Sequence, residues 1–188
     1  MRKIILAVVL LLFSGINLFG QDEPGFRTFV NEEYNIKINY PANWYYKEEH
    51  NEVLNAFYFT KELIVKETDI YKTGFCIMRI KNADKNYRYV LKDDPDATRR
   101  MFAEMTRQVL IKKNQLIHDK YEAIRVAGKD AILCEFSFIN DFGEEETEFE
   151  LVMFENNTLL SLIMEAPVNE FDNYRGLYRR IISEAVLF

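Results

Sequence analysis

The chain has 188 residues, 48% hydrophobic and 29% charged, with a formal net charge of −6 at pH 7. That length supplies one domain of usual size, able to bury a sizeable core without metals or disulfides, and the acidic balance argues against nucleic acid or anionic lipid surfaces as partners. No internal repeat, low-complexity tract or glycine- and serine-rich linker divides it, and only the aromatic share, 14%, is high.

Arg2 and Lys3 precede an unbroken apolar run from Ile4 to Phe13, followed by the small residues Ser14, Gly15 and Gly20. This is the layout of a secretory signal over residues 1–20, with cleavage expected near Gly20 and Gln21. A run of about ten residues is well short of the roughly 20 that cross a bilayer, so no stable membrane insertion is expected after cleavage. No cysteine stands near the end of the leader to carry a lipid. The mature chain, residues 21–188, is therefore read as a single secreted or periplasmic globular domain. Without Arg2 and Lys3, 22 of the 24 basic residues face 30 acidic ones, a mature net charge of about −8.

From Tyr34 to Tyr40 apolar and polar residues alternate, which predicts a half-buried strand. Pro41 ends its ladder, Ala42 and Asn43 turn, and Trp44 opens a second strand to about Glu49. Val53 to Phe59 and Gly74 to Ile80 read as a third and fourth strand. At Asp94 the period changes: Asp94 suits an N-cap, Pro95 the first helical position, and Phe102, Met105, Val109 and Leu110 form one stripe of a helix to about Lys113. Strands are expected over Leu116–Val126 and Lys129–Ile139, split by Gly128. A hairpin follows, Thr147 to Phe154 and Leu159 to Glu165, turning at Glu155–Thr158, where asparagines tolerate positive φ. Pro167 and Asn169 introduce a last helix, with Phe171, Tyr174, Leu177, Tyr178 and Ile181 at helical spacing. Both helices are amphipathic and each is expected on a sheet face.

This order, with an alternating strand ending in Tyr40-Pro41 and then Trp44, a glycine at Gly128 and a closing helix, resembles the PsbP-like family, named for an extrinsic lumenal protein of photosystem II. Its fold is shared with a nuclear factor that binds the Ran GTPase. The resemblance implies an α+β chain, an antiparallel β-sheet covered by helices on its faces as an α-β-α sandwich. It also implies roles in binding or assembling other proteins, with no shared catalytic residue. An ordinary secretory signal departs from the plant proteins, so a photosystem role does not carry over.

Nothing in the residues marks a reaction centre. His50 and His118 stand apart, without the spacing that sets metal ligands on one helix face. Cys76 and Cys134 read either as a disulfide permitted by export or, preferably, as two buried small hydrophobes. Asn156-Asn157-Thr158 matches a glycosylation acceptor, though the turn accounts for it. The row Glu146, Glu148 and Glu150 reads as the wet side of a half-buried strand, too divergent for calcium. Trp44 reads as a buried corner required by the fold, and Tyr45, on the opposite face, as a residue able to contact something external.

These features predict a non-catalytic, cofactor-free module that binds another extracytoplasmic protein through Tyr45 or the acidic row. The alternative is a carrier of a small lipophilic ligand in an aromatic pocket between helix and sheet, lined by residues such as Phe57, Phe59, Phe136 and Phe138. An unrecognised hydrolase is the third reading.

Overall fold

The computed structural model describes residues 25–64 and 72–187; the expected leader, residues 1–20, and its expected cleavage point lie outside them. Among the described residues there are ten strands: β1 Phe26–Asn31, β2 Ile36–Pro41, β3 Tyr45–His50, β4 Leu54–Thr60, β5 Gly74–Ile80, β6 Leu116–Val126, β7 Lys129–Ile139, β8 Glu145–Glu155, β9 Thr158–Pro167 and β10 Val186–Leu187. The helices are α1 Ala83–Asn86, α2 Pro95–Lys112 and α3 Val168–Glu184. The result is a mixed α/β chain dominated by antiparallel sheet. Seven strands pair in the order β3-β4-β5-β9-β8-β7-β6, and a small sheet pairs β1-β2-β10.

Local chemistry sets the element ends. The Asp94 carboxylate accepts from the Ala97 N–H at 2.8 Å, satisfying one of the orphan donors at the start of α2, with Pro95 inside the first turn. Ala127 and Gly128, at φ 50° and 81°, make the two-residue reversal between β6 and β7. Asn156 and Asn157, at φ 48° and 59°, do the same between β8 and β9, the positive-φ pair that matches the twist of a hairpin. Gly74 is required for another reason: a Cβ there would sit 2.6 Å from the Phe59 carbonyl oxygen on the neighbouring strand.

Side chains alternate across the seven-stranded sheet, and each face carries its own core. On one face Phe57, Phe59, Phe75, Leu151 and Leu162 pack against Ile36 and Ile38 of the small sheet and against Phe171, Tyr178 and Ile181 of α3. Arg175 of α3 reaches the Glu135 carboxylate of β7 with two hydrogen bonds, 2.7 and 2.9 Å, pinning helix to sheet and holding that carboxylate below its ordinary range. The opposite face buries Ile132, Cys134, Phe136, Val152 and Phe154 with Ala103 and Leu110 of α2.

The corner around Trp44 joins the two sheets. The chain leaves β2 at Pro41 and reverses, with the Trp44 N–H donating to the Pro41 carbonyl at 3.0 Å, before entering β3. Trp44 is 6% exposed and its ring lies 6.0 Å from Phe75 and 6.2 Å from Tyr174 of α3. Tyr40 and Pro41 are buried beside it, Tyr40 against Phe59 at 4.7 Å. One indole thus touches the large sheet and the closing helix at the point where the small sheet begins.

Candidate functional site

The acidic row of β8 is where the structure departs most from expectation. Thr147, Phe149, Leu151 and Met153 point into the core beneath α3, as alternation requires, so Glu146, Glu148 and Glu150 take the other face. That face is not wet. α2 packs across it, leaving Glu146 and Glu150 only 8% and 6% exposed and Glu148 half-buried. The expectation of a solvated stripe open to a protein partner is corrected accordingly. Alternation identifies the two faces of a strand but not which is covered. The available signal lay in the neighbouring strand, where Ile132, Cys134 and Phe136 share the side of the glutamates, and in the apolar stripe of α2 that needs a sheet to cover.

Burial here has electrical consequences. Ser161 of β9 donates its hydroxyl to Glu150 Oε1 at 2.9 Å, while the buried Glu150 Oε2 has no hydrogen-bond partner. Burial pushes the Glu150 carboxyl up, opposed by the hydroxyls of Thr106 and Ser161. Glu148 is pushed well above the ordinary carboxylate range, first by burial and then by the charges of Glu150, Glu165 and Glu146. Glu146 is raised by burial as well, although Asn140 donates to it at 2.8 Å. The row is a set of carboxyls that the fold pushes toward the neutral form.

Beside Glu150 the edge of α2 and the sheet diverge, leaving a groove of about 290 Å³. Leu54, Met78, Ile80 and Leu159 form its sheet wall, and Phe102, Met105 and Val109 its helix wall. Tyr87, whose ring meets Phe102 edge-on at 5.0 Å, flanks it. Glu150, Ser161 and Thr106 supply its polar groups. An apolar hollow with few convergent polar groups, near the lower end of the usual size range, is the common form of a small-ligand site. A larger open cleft of about 770 Å³ lies at the start of α2, between Arg99, Gly128 and Asn157. Lys92, Arg99 and Lys129 there are outnumbered by Asp93, Asp94, Asp96, Asp130 and Glu155, so its lining is mixed in sign with an acidic excess.

The aromatic pocket expected from Phe57, Phe59, Phe136 and Phe138 does not form. Phe57 and Phe59 belong to the core under the small sheet, whereas Phe136 and Phe138 pack on the other face, under α2. The residues lining the groove that does form are mainly aliphatic and sulfur-bearing. Cys76 and Cys134 are free and buried. They share one cross-strand row, Cys76 beside Ile163, Ile163 beside Glu150, Glu150 beside Cys134, so three strand spacings, about 14 Å, separate them, twice the reach of a disulfide. Burial pushes the Cys76 thiol up to about 12 and Cys134 higher still, which suits packing rather than nucleophilic attack.

Tyr45 is 46% exposed on β3, an edge strand of the large sheet. His50 meets Asn55 at 2.9 Å and lies far along the chain from the exposed His118. Among the described residues no group of three or more His, Cys, Asp or Glu side chains is placed to hold a metal ion. Nor, among them, is any helix long and apolar enough to cross a membrane. Asn157 is engaged by its fold neighbours: its side chain accepts from the Asp84 N–H at 3.1 Å and donates to the Asp84 carboxylate, tying the hairpin to α1.

No protein-family model and no curated protein matches the chain. Among solved structures it is similar to cyanobacterial PsbP (CyanoP) from Synechocystis sp. PCC 6803, with a TM-score of 0.60 at 10% identity, over 93% of this chain and 99% of that one. At that identity the likeness speaks for the fold alone: the chain has a PsbP-like fold. LpqN of Mycobacterium tuberculosis, involved in cell envelope biogenesis, aligns over 92% of this chain and 99% of its own at 13% identity and a TM-score of 0.49. PA94 of Pseudomonas aeruginosa, a protein of unknown function, aligns over 85% of this chain and 94% of its own at 14% identity and 0.44. Both are too distant to carry an argument.

Proposed function

We propose that this chain, built on a PsbP-like scaffold, is a non-catalytic extracytoplasmic binding module that holds a small amphipathic ligand between α2 and the seven-stranded sheet. The observation that carries this reading is the groove itself: apolar walls on both sides, and at one point a buried carboxyl with an unpartnered oxygen. In an open groove of about 290 Å³ whose apolar walls border a buried, unsatisfied acceptor, a ligand would both cover apolar surface and supply the missing donor. The acidic row, buried by α2, no longer offers a contact surface to a protein partner, so the ligand-binding reading takes precedence over protein assembly. Protein contact keeps one specific support, the exposed Tyr45 on the edge strand β3.

Val109 is 52% exposed at the groove rim, so a larger side chain there fills the hollow without entering the core. A lipophilic fluorescent probe such as N-phenylnaphthylamine is expected to bind the mature protein, and Val109→Trp to weaken it at least tenfold, about 1.4 kcal/mol. Tyr45→Ala should leave probe affinity unchanged. Undiminished probe affinity in a Val109→Trp protein of normal melting temperature would exclude the groove.

A further inference from the structure

Resting on the groove reading, we infer that the polar end of the ligand is a primary ammonium group on an apolar body, seated on Glu150. Glu150 Oε1 is satisfied by Ser161, and Oε2, buried beside the groove, lacks a donor. An orphaned acceptor calls for an N–H or O–H. Charge narrows the choice. The carboxyls that bear on this part of the sheet face are Glu146, Glu148 and Glu150 of β8 and Glu165 of β9, the last paired in register with Glu148. From α2 the residue facing Glu150 is Thr106, an uncharged hydroxyl that favours the ionised carboxylate without making a hydrogen bond to Oε2, and the groove wall contains no Lys or Arg. Arg107, next along the helix, is engaged by Asp119 at 2.8 Å and by Glu104. On the far side, Lys72 is held by Glu144 at 2.6 Å and bears on Glu146.

A ligand carboxylate would add a negative charge to this cluster. A hydroxyl would satisfy Oε2 but leave uncompensated the burial and mutual repulsion that push these carboxyls toward the neutral form. An ammonium does both, and it does so where low polarity strengthens the attraction. A quaternary ammonium has the charge but no N–H for Oε2. The apolar body lies along Met105 and Val109, whose exposure, 38% and 52%, leaves the groove open toward solvent for a chain to extend.

The test is calorimetric titration of the mature protein at pH 7.5 with decylamine, decanol, decanoate and decyltrimethylammonium, each below its micellar concentration. Decylamine is expected to bind at least tenfold more tightly than the other three. In Glu150→Gln, whose folding is checked by its melting temperature, the advantage over decanol should shrink to less than threefold, with decanol affinity itself little changed. If all four bind equally and Val109→Trp weakens them all, the ammonium assignment fails while the groove reading survives. The assignment also fails if decanoate binds best, if decyltrimethylammonium equals decylamine, or if Glu150→Gln keeps the full amine preference. If no decyl compound binds, or Val109→Trp affects none of them, both fail.

Discussion

Replacing Trp44 with alanine is expected to lower the unfolding free energy by about 3 to 5 kcal/mol, the range for removing a large buried aromatic ring. The indole is buried at the turn between β2 and β3, and it touches both Phe75 on β5 and Tyr174 on α3. Its removal opens a cavity between three elements that are far apart in sequence, and collapse into that space would have to move a helix against a sheet. The exposed neighbour is the control: Tyr45→Ala should fall within about 0.5 kcal/mol of the wild type, as surface substitutions do. Urea unfolding of both variants measures the difference. A Trp44→Ala protein whose melting temperature stays within a degree of wild type would show that the corner does not hold the sheets together.

Glu148→Gln should act in the opposite direction and stabilise the protein at neutral pH, by roughly 1 to 3 kcal/mol, the scale for relieving an uncompensated buried polar group. The cause is the crowding of Glu146, Glu150 and Glu165 around a carboxyl whose charged form burial already disfavours. The sign follows from proton binding. A carboxyl raised in the folded state binds more protons there than in the unfolded chain, over the interval from the ordinary value near 4.3 up to the raised one. Stability therefore falls as pH rises through that interval. The lowered carboxylates, among them Glu135, Asp141 and Glu144, act below the interval and lose their contribution as pH drops. Wild-type stability should thus be greatest near the ordinary carboxylate value and decline as pH rises above it. In Glu148→Gln the decline should be shallower. Unfolding curves at four pH values between 5 and 8 provide the comparison, and a variant less stable than wild type at pH 7 would refute the account of a strained acidic row.

Features governed by nearby residues were legible in the sequence. Asp94 and Pro95 announce α2, the asparagine pair at 156 and 157 announces the hairpin, and Gly74–Ile80, Leu116–Val126 and Lys129–Ile139 coincide with β5, β6 and β7. Features set by distant pairing were not. β10 is two residues long and exists because Val186 and Leu187 meet Lys37 and Ile36 across almost the whole chain. β1 owes its place to pairing with β2, and its alternating exposure is weak. The candidate site failed to show for the same reason. Period-two alternation separates the two faces within each strand, but whether Phe57 and Phe136 share a face depends on the register of every strand between them. Likewise, charged residues alternating with apolar ones on β8 mark two faces without saying that α2 covers the charged one. The stripe Phe102, Met105, Val109 and Leu110 was legible as the apolar side of a helix, but it reads as ordinary core packing and does not announce a groove.

Whether ligand enters between α2 and the sheet beside Glu150 can be read from the methionine methyl resonances. Met78 and Met105 line opposite walls of the groove, while Met153 and Met164 lie in the core on the far face of the sheet. Titration with decylamine should shift the Met78 and Met105 methyl signals together, with one saturation curve, and leave those of Met153 and Met164 in place. Shifts confined to Met153 and Met164, or saturable binding that moves neither Met78 nor Met105, would contradict such entry.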